Sequence, residues 1–215
     1  MPADERTSAR RSSQALARHG AALLFGVATV LIAGCAHSFT GAVFDPPCQP
    51  YDIALTDHED RPWRLSDQRD RVTVLYFGFA SCPDVCPQSL ATLAAARKKL
   101  GADGARVQGV LVTLDPDRDS TAVLKHYVAA FDPTFVGLRG SQQALDPILK
   151  AYSVTATRRP LPDSVLGYTI DHTSYFYAID LGGCYREMLK GSTPVDGLAA
   201  DLRFLATERQ PRSCR

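Results

Sequence analysis

Residues 72–79 read Val72-Thr73-Val74-Leu75-Tyr76-Phe77-Gly78-Phe79, and residues 81–87 follow as Ser81-Cys82-Pro83-Asp84-Val85-Cys86-Pro87. The first stretch is β-branched, aromatic and almost wholly apolar. A strand buried on both faces reads this way, whereas a strand with one wet face alternates. After the second proline the pattern changes. Leu90, Leu93, Ala94 and Leu100 recur at helical spacing over 88–100, Arg97, Lys98 and Lys99 fill the last turns, and Gly101 stops the helix. A buried strand that runs through a cysteine-bearing loop into a helix is half of a βα unit, so an α/β fold is expected.

Working outward, the same alternation continues. Residues 107–114 form a second buried run, and Ser120 is placed to cap a helix over 121–131. A short strand over 135–138 and a helix over 141–152 follow, with Pro147 inside the helix. Residues 155–167, rich in Arg and Pro, read as a loop. Two strands over 174–179 and 185–189 make a hairpin turned at Gly182-Gly183, and a helix over 195–206 closes the chain. Upstream, 51–55 and 63–65 read as a small hairpin around the polar turn 57–60. The sum is a mixed sheet flanked by helices, with an extra hairpin at its N-terminal side.

The N-terminal 34 residues differ. Arg6, Arg10, Arg11 and Arg18 precede the twelve uncharged residues 21–32. A bilayer-spanning helix needs about 20 apolar residues, so this is the length of a signal-peptide core with its basic flank correctly placed. Leu31-Ile32-Ala33-Gly34-Cys35 resembles the lipobox of bacterial lipoproteins, in which the cysteine is acylated. The expected organisation is a signal peptide over 1–34 and a lipid-anchored linker over 35–50. A folded domain over 51–207 and a tail over 208–215 complete it. The alternative is an uncleaved transmembrane anchor; either holds the domain outside the cytoplasm, on the periplasmic side of a bacterial membrane. Removing the leader takes four Arg and two acids from a chain of net charge +1, so the remainder stands near −1. No nucleic-acid partner is expected at that charge.

Cys82 and Cys86 carry the chemistry. Residues four apart on a helix share a face, and both sulfurs sit at the C-terminal end of a buried strand, where α/β sheets place ligands. The helix N-terminus favours the thiolate. Soft sulfur suits Cu(I), zinc or an iron–sulfur cluster. By spacing alone, a plain disulfide serves as well as a metal pair, since cysteines of an exported chain tend to pair. His172 is the candidate third ligand; two Cys and one His suit copper better than four-coordinate zinc. His37, His58 and His126 read as ordinary linker, turn and helix residues.

The stretch Tyr76 to Pro87 closely resembles the signature of the Sco/SenC family. Thr113-Leu114-Asp115-Pro116-Asp117-Arg118-Asp119 resembles its second block, and Asp171-His172-Thr173 its third. The likeness runs from about Tyr51 to Ala206. It implies a thioredoxin-like fold in which Cys82, Cys86 and His172 bind one copper, Cu(I) or Cu(II). It implies an assembly factor for the binuclear copper site of cytochrome c oxidase subunit II, delivering copper, reducing that protein's cysteines, or both. A copper donor and a thioredoxin-like reductant are its implied partners. The competing reading is an oxidoreductase that cycles Cys82–Cys86 without an obligatory metal; the three residues between the cysteines, where common thioredoxin-type enzymes have two, weigh against it. Asp115 and Asp119 are expected to hold the site's loops, and Asp146 matches a family acidic residue near the site. In such a topology the closing helix runs back towards the hairpin turn, so a Cys184–Cys214 disulfide is expected with Cys48 free.

Overall fold

The computed structural model describes residues 37–208 and Cys214. The leader expected over 1–34 and Cys35, expected to be acylated, lie outside the described residues.

Strand β1 (Ala42–Cys48) comes first, then the hairpin of β2 (Ala54–Asp57) and β3 (Pro62–Arg64). β4 (Val72–Gly78), α1 (Val85–Lys99), β5 (Val107–Thr113), α2 (Thr121–Ala129), β6 (Val136–Arg139) and α3 (Gln142–Ala151) alternate. β7 (Ala156–Leu161), β8 (Gly167–His172), β9 (Tyr175–Ile179), β10 (Tyr185–Lys190) and α4 (Val195–Thr207) complete the chain. Among the described residues, eight strands form one sheet in the order β1-β10-β9-β4-β5-β6-β2-β3, and β7 pairs only with β8. β4 runs parallel to β5, and β5 to β6. β9 joins β4 antiparallel. The sheet is therefore mixed, and with its helices it has the thioredoxin-like arrangement.

Every residue of β4 and β5 is buried, as their unbroken apolar runs require. α1 packs against α4, and α2 against β6. Gly137 of β6 sits so close to α2 that a Cβ there would lie 2.8 Å from Leu124 Cβ. Ser120 and Ser141 cap α2 and α3 by accepting from the amides of Val123 and Ala144.

Two stretches depart from expectation. Residues 36–50, expected to be a linker, contain β1, which pairs with β10 at Ala42, Val43 and Cys48. The register shifts between Val43 and Cys48, across Asp45-Pro46-Pro47. Proline donates no ladder bond, so it fits only an edge strand or a bulge, and here it stands in both. Residues 155–167, read as a loop, hold β7 and the turn into β8. All of β7 up to Leu161 is exposed, so no apolar alternation marks it.

Candidate metal centre

β4 ends at Gly78, and Leu114 N–H donates to the Gly78 carbonyl at 2.8 Å, tying the strand end to the chain after β5. The turn that follows brings Cys82 N–H to the Phe79 carbonyl at 3.2 Å. α1 starts at Val85 with Asp84 as its cap residue, but the Asp84 side chain caps no backbone N–H. The first-turn amide of Cys86 donates instead to Cys82 Sγ at 3.4 Å. The sulfur thus takes the place of a capping oxygen, satisfying an orphan donor of the helix start. Pro87 has no N–H to satisfy in that turn.

His172, the last residue of β8, completes the group. Its Nδ1 lies 2.9 Å from the Thr173 carbonyl oxygen. A carbonyl can only accept, so Nδ1 donates to it, which leaves Nε2 facing the cysteines. Nε2 lies 3.4 Å from Cys86 Sγ. The Cys82, Cys86 and His172 ligand atoms all fall within 4.8 Å of one another. Cys86 is fully buried and Cys82 is 9% exposed, so Cys82 faces the way in.

The two sulfurs are unequal in charge as well. The Cys86 thiol donates to Cys82, which, with His172 and the amides at the helix start, draws the Cys82 thiol down to about 4. Cys86 is pushed up, first by holding the proton of that pair and then by burial. Metal-free and reduced, the site holds a thiolate at Cys82 and a thiol at Cys86, with the His172 ring beside them. Its donors are two soft sulfurs and a nitrogen on a largely dry wall, a set that fits copper. Among the described residues, Cys48, Cys82 and Cys86 are free thiols.

The aspartates divide. Asp119 Oδ2 accepts from Ala80 N–H at 3.0 Å and from Thr113 Oγ1 at 2.5 Å, joining the cysteine loop to the end of β5. Asp115 accepts from the Tyr168 hydroxyl at 2.7 Å and from Arg118. Asp146 stands apart: it is exposed on α3 and accepts from Gln142 of its own helix at 2.7 Å. The structure shows no hydrogen bond from it to Cys82, Cys86 or His172. Cys184 and Cys214 are joined by a disulfide, with Cα atoms 5.3 Å apart.

Several residues of consequence carry no signal in the sequence. Tyr168 and Arg158 fall in or beside the stretch read as loop, yet both pack around Arg118 and Asp115. His37, read as a linker residue, meets the buried Asp201 at 2.7 Å. His58 Nδ1 accepts from Gly137 N–H at 2.9 Å. Such pairings join residues far apart in the chain, and no local pattern marks them.

Comparison with known proteins places this geometry. Residues 49–207 match the family model described as SCO1/SenC. A SCO2-like protein of Rickettsia felis is 34% identical over 134 residues, covering 62% of this chain and 65% of that protein. The mitochondrial SCO2 homolog of Mus musculus is 32% identical over 154 residues, covering 71% and 60%. The matches thus span under two thirds of these relatives' own length. Among solved structures, apo Sco1 of Thermus thermophilus superposes with a TM-score of 0.70 at 34% identity, covering 80% of this chain and 99% of that one. Copper-bound ScoI of Bradyrhizobium japonicum gives 0.66 at 30% identity, covering 73% and 98%. With most of its length inside the family model, and with the paired cysteines and the histidine gathered at one strand end, the chain belongs to the SCO1/SenC family.

Proposed function

We propose that the protein is a copper-binding assembly factor that serves the binuclear copper site of cytochrome c oxidase subunit II. Cys82, Cys86 and His172 hold one copper per chain. The observation that carries this reading is the convergence of two thiols and an imidazole within 4.8 Å. Relatives solved with copper bound, from Bradyrhizobium japonicum and from yeast, support it.

The same sulfurs serve as a redox pair. Cys82 is the thiolate and the more exposed sulfur, and Cys86 lies behind it. A disulfide between them leaves no thiolate for metal, so ligation requires the reduced pair. The leader and Cys35 support export and lipid attachment on the periplasmic side of the membrane, with a copper donor and a thioredoxin-like reductant as further partners.

The test is transfer. Copper-loaded protein is mixed with the reduced, metal-free copper domain of an oxidase subunit II, and the copper in each is measured after separation. Copper moves to the acceptor from the wild type. If it stays put, while the reduced, metal-free protein converts the disulfide form of the same acceptor to the dithiol and is itself oxidised to a Cys82–Cys86 disulfide, the protein works as a thiol reductant and delivery is wrong.

A further inference from the structure

The histidine of the site is carried by a part of the fold that stands outside the main sheet. Among the described residues, β7 and β8 pair only with each other. Successive strand residues point to opposite faces, so Tyr168, Ile170 and His172 share one face of β8. Ile170 is buried, His172 Nε2 lies 3.4 Å from Cys86 Sγ, and the Tyr168 hydroxyl lies 2.7 Å from Asp115 Oδ1. Asp171, on the other face, is exposed and pairs with Arg159 at 3.0 Å.

Tyr168 marks the far end of this face, and it is gripped. The Arg118 guanidinium carbon lies 3.7 Å from its ring centroid and that of Arg158 lies 4.1 Å away. Arg118 also donates to the carbonyls of Leu166 and Tyr168 at 3.0 and 3.1 Å, and to the buried carboxylate of Asp115. Arg158 reaches Asp117 at 2.8 Å. Asp115 and Asp117 belong to the loop after β5, so the free end of the hairpin is fastened to the body of the domain. The other end is tied at its base, where Thr173 N–H donates to the Thr155 carbonyl at 3.0 Å. Arg118 further lies 5.9 Å from the Phe79 ring, which meets the His172 ring edge-on at 5.8 Å.

We propose that the Asp115–Arg118–Tyr168 clamp positions His172, so that its loss weakens Cu(II) binding while leaving Cu(I) binding to the two sulfurs. This rests on the reading that Cys82, Cys86 and His172 bind copper. Without the clamp the hairpin pivots on its Thr155–Thr173 base and turns the face that carries His172. A ligand must be held within about 0.5 Å and 10–20° of its working geometry, so a small pivot is enough. Thiolates satisfy Cu(I), whereas Cu(II) gains more from the imidazole. The three residues act through His172 and are positioning residues.

The experiment uses Tyr168→Ala, Tyr168→Phe, His172→Ala and the Tyr168→Ala/His172→Ala double variant of the reduced protein. Tyr168→Ala should lose about 10-fold or more in Cu(II) affinity, as other supports of ligands do, and shift the sulfur-to-Cu(II) absorption. Its Cu(I) affinity should stay within about twofold, since the thiolate pair is untouched. Tyr168→Phe keeps the ring between the arginines and falls between. Adding Tyr168→Ala to His172→Ala should change nothing more, because the clamp acts through that one residue. In the metal-free protein, the His172 ring signals by nitrogen NMR should move in Tyr168→Ala. Equal losses for Cu(I) and Cu(II), or unmoved ring signals, overturn the clamp. If the wild type binds no copper at all, the underlying reading fails, and the ring signals then decide the clamp by themselves.

Discussion

Gly78 ends β4 directly beneath the site. A Cβ at this position would lie 2.9 Å from Cys86 Sγ and 2.8 Å from the Tyr76 ring. Both neighbours are fully buried and neither has room to retreat. Gly78→Ala should therefore displace Cys86 and weaken copper binding by about 10-fold or more, on the scale of losses when a ligand's support is removed; copper competition titration measures this. Cys82 gives a second prediction. With its thiol near 4, it is a thiolate from about pH 5 upward. Alkylation of Cys82 in the reduced, metal-free protein should hold nearly level from pH 8 to 5, then fall as pH passes through 4. A rate that climbs tenfold per pH unit up to pH 8 contradicts the paired-sulfur picture. At this scale the two cysteines are legible in the sequence, because a buried strand, a loop and a helix start fix where they point. Tyr168 and Asp201 are not, since their partners come from distant elements.

Elements were legible where burial imposes a pattern. β4 and β5 are unbroken apolar runs, and α1 follows from its helical spacing and stop signal. β1 and β7 escaped for opposite reasons: prolines interrupt the first, and exposure removes the pattern from the second. The segment leading into β1 is fastened through buried acids. His37 and Thr40 N–H bond Asp201, and Gly41 N–H donates to Glu187 at 2.6 Å. Burial, with the Asp201 carboxylate alongside, pushes Glu187 up to about 8, against the pull of Gly41 N–H and Arg186. Between the ordinary carboxylate value and about pH 8 the folded chain holds a proton that the unfolded chain has released. Glu187's contribution to stability is therefore present at low pH and lost as pH rises through about 8. Glu187→Gln should remove that loss. Urea midpoints at pH 5 and pH 8 should show the variant gaining on the wild type at pH 8, and an unchanged difference would refute the protonated acid.

The whole molecule separates the parts that hold it together from the parts that act. The Cys184–Cys214 disulfide spans 30 residues and encloses α4. It starts beside Tyr185, which pairs with Ile179, whereas the candidate site adjoins the Tyr175–Lys190 end of the same hairpin. Replacing both cysteines by Ala should cost about 2–4 kcal/mol of stability, the usual range for a native disulfide, and leave copper binding intact. Denaturant unfolding and copper titration of the same variant check the two halves of that statement. The central claim is that Cys82 and Cys86 act as copper ligands only while both are reduced. Copper titration of the reduced and the oxidised protein, with Cys184–Cys214 intact in both, tests it most directly. The reduced protein should bind about one copper per chain with sulfur-to-Cu(II) absorption, the capacity of a single Cys2His site, and the oxidised protein should bind none there. Equal binding by the two forms would contradict the account.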